Sequence, residues 1–174
     1  MQQLQLYARD MAEFLRNHQE WAPVFVFLVA FGECTAILSW LVPATLFFTA
    51  FGAMAGASGL NMFPIAIAAS LGAGFGFWMS YWVGLVIGPN VGNYWPLKSR
   101  PEMLAKGHEF FEKWGEVGIF MGHFLGPVRG IIALVAGIVK MPALQFQAAN
   151  WLASFAWGFL LLYGGGMLGQ QAVR

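Results

Sequence analysis

Gly122-His123-Phe124-Leu125-Gly126-Pro127-Val128-Arg129-Gly130 lies inside an otherwise apolar run from Val117 to Val139. An arginine, a histidine, a proline and three glycines stand where a membrane helix is ordinarily Leu, Ile and Val. A charge at that depth costs about 2.5–3.5 kcal/mol on insertion scales, so something must offset it. From Trp21 to Leu97 the only charged residue is Glu33, again in a segment broken by a proline, Pro43. These two broken segments are read as facing each other, so that they form one polar site inside a small membrane protein.

The composition sets the class. The chain has 174 residues, of which 59% are hydrophobic and 10% charged, against about 25% charged for a soluble domain. One integral membrane domain, residues 1–174, follows. A net charge of +1 argues against a nucleic-acid partner. The single cysteine, Cys34, excludes an internal disulfide and a CxxC metal site. The N-terminus is polar and the next apolar run is too long for a signal peptide, so that run itself is expected to direct insertion. No enzyme and no cofactor are expected. His18, His108 and His123 sit in unrelated segments, no Ser/His/Asp arrangement is evident, and no Gly-Lys-Ser/Thr loop occurs.

Outward from the opening stretch, the chain divides into two similar halves. Residues 3–18 read as an amphipathic helix, with Leu4, Tyr7, Met11, Phe14 and Leu15 at helical spacing. Residues 21–58 are apolar and interrupted at Pro43. They fit either a full span followed by a short one, or a pair of arms that turn at membrane depth and leave on the side they entered. Glu33 favours the second, because both irregular backbone and a carboxylate need a protein-lined or watery cavity there. Residues 62–88 read as a transmembrane helix with small residues every four positions: Ala68, Gly72, Gly76, Ser80, Gly84 and Gly88. Such a stripe lets a second backbone approach closely, within the chain or between copies.

Residues 101–114 read as a second amphipathic helix, residues 117–139 as the second broken segment, and residues 143–169 as the last span. Each arm of 117–139 would extend about 15 Å as helix, half the hydrocarbon thickness, so a turn near Gly126-Pro127 falls at the midplane. The expected fold is all-α: two transmembrane helices, two facing re-entrant helical hairpins and two amphipathic helices, in a pseudo-inverted repeat. Two proline-interrupted segments in corresponding halves are the layout of inverted-repeat transporters. With both hairpins re-entrant, Lys98, Arg100, Lys106, Lys113 and Lys140 share one side, which the positive-inside rule places in the cytoplasm.

In these pieces the chain resembles the DedA family of membrane proteins, also described as SNARE-associated or VTT-domain proteins. The resemblance is carried by Phe31-Gly32-Glu33 with Pro43, and by Leu71-Gly72-Ala73 with Gly76 and Tyr81-Trp82-Val83-Gly84. It is carried further by His123-Phe124-Leu125-Gly126-Pro127-Val128-Arg129 with Ala136-Gly137, Phe146, Asn150 and Trp157. It implies two facing re-entrant helices and a role in moving lipids between leaflets, undecaprenyl phosphate or phosphatidylethanolamine in bacteria, in some members with dependence on the proton gradient. It also implies a bacterial inner membrane. The chain departs from the family pattern at three places. Pro43-Ala44-Thr45 replaces a turn with an acidic residue, His123 stands for an arginine, and Phe77 for an aspartate.

The chemistry of the site follows from residue type. Arg129 offers a fork of five donors matched to phosphate, and a lipid headgroup is its natural partner in a membrane. Pairing with Glu33 for purely structural reasons fits the same residues. Glu33 can carry a proton, and His123 can relay one. Gly126, Pro127 and Pro43 would form the turns, with Thr45 and Asn150 as polar wall residues. The expected function is a flippase or scramblase for a phospholipid or polyprenyl phosphate, with coupling to protons and a homo-oligomer both open. The alternatives are a proton-coupled small-solute or ion-homeostasis transporter, and a membrane assembly factor that transports nothing.

Overall fold

The computed structural model describes residues 20–35, 44–57, 59–88, 102–125 and 129–173, and every described element is a helix, joined by turns. The helices are α1 (Ala22–Cys34), α2 (Ala44–Ala57), α3 (Met62–Ile87), α4 (Glu102–Gly122), α5 (Arg129–Ile138) and α6 (Ala143–Val173). The amphipathic helix read at 3–18 lies outside the described residues, as do Pro43, Gly126 and Pro127.

Local chemistry accounts for the ends. Proline near the start of α1 loses no intrahelical bond there. The α2 carbonyls of Ala55 and Gly56 are taken by the amides of Leu60 and Gly59, at 3.1 Å each, with Gly59 at φ 72°. This is the left-handed cap that glycine adopts without penalty. Asn61 starts α3 by accepting from the Phe63 amide at 3.0 Å. Gly115 breaks α4 with φ 44° and ψ −122°, so an amphipathic piece before it and an apolar piece after it can point in different directions.

Two spanning helices are expected from the sequence, at 62–88 and 143–169. Among the described residues, α3 alone is long and apolar enough to cross a membrane by length and composition. α6 is longer, at 31 residues, but Gln145, Gln147, Asn150 and Ser154 in its first half and Gly164-Gly165-Gly166 near its end dilute its apolar character. Those polar side chains are not errors of composition: Asn150 and Ser154 are fully buried.

The other helices lean on α3 and α6, which cross antiparallel. Asn150 of α6 bonds to Gly74 of α3, and Phe159 meets Phe63. α1 runs parallel to the first part of α3. Gly72 sits against the Phe27 carbonyl and Gly76 against the Phe31 carbonyl. Ser80 then donates to the Cys34 carbonyl at 3.3 Å. α5 runs parallel to the remainder, with Gly84 against Leu134 and Gly88 against Ile138. The small-residue stripe of α3 is therefore shared by two short helices in succession. α1 stops near Ser80 and α5 starts about 7.5 Å before Leu134, so the two short helices meet nearly end to end along α3.

The same arrangement recurs on α6. α2 runs parallel to it, with Gly52 against Leu162 and Gly56 against Gly166. The end of α4 approaches about two turns before Leu162, where His123 meets Ser154. α1 and α2 make few contacts with each other; each arm of the first broken segment is held by a different long helix.

Close approach of this kind leaves no room for a methyl group. A Cβ at Gly137 would overlap the Tyr81 carbonyl and the Leu85 amide, both backbone atoms, whereas one at Gly164 would meet nothing within 4 Å. Gly137→Ala is expected to cost about 1–3 kcal/mol, the usual range for overpacking. Gly164→Ala should leave stability unchanged or slightly raised. Thermal unfolding of both variants in the same detergent checks the contrast.

Candidate functional site

Glu33 occupies the last turn of α1 and Arg129 the first turn of α5. Because those helix ends meet beside α3, the two side chains form an ion pair. Each charge lies poorly with respect to its own helix dipole but well with respect to the other helix. The carboxylate sits near the positive N-terminus of α5, and the guanidinium near the negative C-terminus of α1. Arg129 is fully buried and Glu33 is 5% exposed. The guanidinium also lies over the Trp157 ring of α6, with Cζ 4.5 Å from the centroid, an additional attraction that strengthens when water is excluded. Phe48 of α2 meets the same indole edge to face at 5.2 Å. Arg129 thus joins α1, through Glu33, to α6, through Trp157.

The pair does not exhaust the guanidinium. Among the described residues, Nε and Nη1 of Arg129 have no hydrogen-bond partner, although both are shielded from solvent. Buried donors of a charged group are ordinarily satisfied, and leaving them open is costly. Arg129 stands in the first turn of α5, and the first amides of a helix have no intrahelical acceptor. Spare charged donors beside a helix N-terminus make a place for an anion.

His123 occupies a second polar cluster next to the first. Its Nδ1 lies 3.3 Å from the Ile119 carbonyl, which can only accept, so Nδ1 carries the hydrogen. In the neutral ring Nε2 then accepts from the Ser154 hydroxyl at 2.9 Å. Asn150 is oriented by donating to the Gly74 carbonyl at 3.0 Å, which turns its oxygen toward Ser154 at 3.4 Å. Ser70, by contrast, bonds back to the Ala66 carbonyl of its own helix, and Ser80 lies between the Gly76 carbonyl of its own helix and the Cys34 carbonyl of α1. The His123 ring stacks on Phe77, centroids 3.7 Å apart. The two positions that depart from the family's arginine and aspartate are therefore in contact, as a neutral ring stack.

Of the residues singled out from sequence, the structure brings Glu33 and Arg129 into direct contact and links His123 to Asn150 through Ser154. Thr45 lies in the first turn of α2, with its side chain outside the described residues, as Pro43, Gly126 and Pro127 are entirely. Sequence reasoning missed Ser154. Its signal was spacing: Asn150, Ser154 and Trp157 share one face of α6 at i, i+4 and i+7.

Removing one member of a buried pair leaves an uncompensated charge, at a cost of about 3–5 kcal/mol. Glu33→Gln and Arg129→Gln should each destabilise by that order, and the double variant by less than their sum. A double-mutant cycle of thermal unfolding in detergent measures the coupling, and additive losses would contradict the pairing.

Comparison with known proteins finds relatives among bacterial membrane proteins. The VTT domain model matches residues 42–167. The inner membrane protein YabI of Escherichia coli is 26% identical over 84% of the chain and 58% of its own length. Protein DedA of E. coli is 26% identical over 91% of the chain and 74% of its length. Undecaprenyl phosphate transporter A of Bacillus subtilis is 26% identical over 80% of the chain and 72% of its length. The chain thus spans less than three fifths of YabI. No solved structure gives a significant match. With the domain model covering most of its length and protein DedA among its relatives, the chain belongs to the VTT-domain family of membrane proteins, the DedA family.

Proposed function

We propose that this protein is a lipid transporter of the bacterial inner membrane, and not an enzyme, which carries a phosphate-bearing headgroup through the Arg129 site. The observation that carries the reading is a fully buried arginine whose Nε and Nη1 are open among the described residues, at the start of a half-length helix. A phosphate has the charge and the oxygen geometry for that fork. One relative is named a transporter of undecaprenyl phosphate, a phosphate on a hydrocarbon tail, which is cargo of this chemistry.

The helix directions support two re-entrant hairpins in an inverted repeat. α1 and α2 run alongside long helices that are antiparallel to each other, and so do the end of α4 and α5. Half-length helices that end at one depth place dipole ends in the membrane interior, where transporters of this plan hold their cargo. Only there can the backbone ends be satisfied by protein or by a bound group.

The Glu33–Arg129 pair supplies the coupling. A phosphate that takes the guanidinium displaces Glu33. A carboxylate buried without its counter-ion is costly and is neutralised by a proton. Anion entry would then bring proton uptake at Glu33, and release would return it. His123 can join only by accepting a proton at Nε2, whereupon Ser154 turns its hydroxyl to the Asn150 oxygen.

The test is leaflet exchange of labelled phosphatidylglycerol, phosphatidylethanolamine and polyprenyl phosphate in proteoliposomes. Arg129→Ala should slow exchange by about 30-fold or more, the effect of truncating one partner of a buried charge pair at about 2–5 kcal/mol. Arg129→Lys, which keeps the charge but loses the fork, should recover part of it. Glu33→Gln should abolish any response to an imposed pH gradient. Exchange of no lipid under any gradient would overturn the reading, and an unchanged rate in folded Arg129→Ala would remove Arg129 from it.

A further inference from the structure

The apolar runs of this chain carry one charge of each sign. From Trp21 to Leu97 the only charged residue is Glu33, from Val117 to Val139 it is Arg129, and Met141 to Val173 contains none. Both are buried, and they face each other as one ion pair. The empty site is therefore neutral.

The groups around the pair add no charge to it. Cys34, beside Glu33 on α1, is a buried free thiol. On α3, Tyr81 donates its hydroxyl hydrogen to the Met141 carbonyl at 2.7 Å. At the end of α4, both ring nitrogens of His123 are engaged, by the Ile119 carbonyl and the Ser154 hydroxyl, and the ring stacks on Phe77. α6 contributes Asn150, Ser154 and Trp157, and α2 contributes Phe48, all uncharged. No second fixed cation exists in these runs to meet an added negative charge. A net charge held away from water is costly and is removed by proton transfer where a titratable group allows it.

The count then differs between headgroups. A phosphodiester with one negative charge takes the guanidinium and leaves Glu33 as a second anion against one cation. One proton on Glu33 restores neutrality. A phosphodiester with its own ammonium needs no proton, because the ammonium replaces the guanidinium beside Glu33. A phosphate monoester above its second pKa, about 6, brings two negative charges and needs two protons, one on Glu33 and one on the phosphate.

We propose that the site passes a phosphate headgroup only as an electroneutral unit, with one proton for each net negative charge of the lipid and the first of them on Glu33. The inference rests on the transport reading of the same site. It adds the number of protons that accompanies each class of lipid, and the indifference of the crossing to membrane voltage. Empty and loaded sites are both neutral, so neither is moved by an electric field. A site with a spare arginine, or with no carboxylate, carries charge in one of its two states.

The experiment uses phosphatidylcholine proteoliposomes with trace labelled phosphatidylglycerol, phosphatidylethanolamine or polyprenyl phosphate. A pH gradient is imposed at zero voltage, or a potassium–valinomycin voltage at equal pH, and the ratio of label between leaflets is read at steady state. One pH unit should enrich phosphatidylglycerol about tenfold on the alkaline side, polyprenyl phosphate about 100-fold, and phosphatidylethanolamine not at all. Voltage should enrich none of them, whereas a lipid that crosses as a bare monoanion would show about 50-fold for 100 mV. Glu33→Gln removes the proton acceptor and keeps the guanidinium, so phosphatidylglycerol should cease to follow pH and begin to follow voltage. If that variant does not fold, the ratios of the unaltered protein decide alone. Phosphatidylglycerol that follows voltage in the unaltered protein overturns the proposal and leaves transport standing. So do equal pH responses of phosphatidylglycerol and polyprenyl phosphate, a pH response of phosphatidylethanolamine, or a pH response that survives in Glu33→Gln. Exchange of no lipid defeats the transport reading itself, and this inference with it.

Discussion

The arrangement depends on burying one arginine. A guanidinium in a membrane interior is tolerated only with a counter-charge, polar ends of backbone or a polarisable face close by. Arg129 of α5 has Glu33 of α1 as counter-charge and Trp157 of α6 as an aromatic face. The three stand on different helices, so the cluster can form only if α1, α5 and α6 are held in register. The charge is thus a consequence of the fold as much as a cause. The apolar packing brings the ends together, and the ends then hold the pair.

That register comes from glycine. Backbones approach closely where no Cβ intervenes, and dispersion between close backbones replaces the hydrophobic drive that lipid does not supply. Gly72 and Gly76 seat α1, Gly84 and Gly137 seat α5 against α3, and Gly52, Gly56 and Gly165 seat α2 against α6. One consequence is rigidity along each long helix. On the proposed transport reading, movement that opens the site would come from the short arms as units, and not from sliding of a glycine-seated contact by fractions of a residue.

What was legible in the sequence is what breaks an apolar pattern. Arg129 and Glu33 stand out because nothing around them is charged, and their pairing follows from electroneutrality alone. The transmembrane character of 62–88 and the small-residue stripe were equally plain. The division of that stripe was not, because four-residue spacing says that a backbone comes close but not which one, nor that two come in turn. Ser154 was hidden for a similar reason. A serine can satisfy its hydroxyl on its own helix, as Ser70 does, so nothing in a single sequence marks Ser154 as one that bonds outward to His123. The sequence marks 143–169 as the last span with Asn150 as a polar wall residue, and the polar face of α6 is spent on Gly74 and His123.

The contrast between the two polar clusters bears on how the site works. The His123 cluster is closed: both ring nitrogens are used, the ring is stacked, and Asn150 is anchored on a backbone carbonyl. Such a network fixes positions, since changing any member leaves another unsatisfied. The Arg129 cluster is open, with donors to spare among the described residues. A site that must bind and release cannot be fully satisfied by its own protein, or no ligand would compete. It also cannot be left wholly bare, or the charge would not stay buried. A single carboxylate that holds part of the guanidinium meets both conditions. On the transport reading proposed above, the closed cluster beside it would hold the end of α4 in place while the open one changed partners, and the exchange of Glu33 for an incoming anion would be a local event at two helix ends.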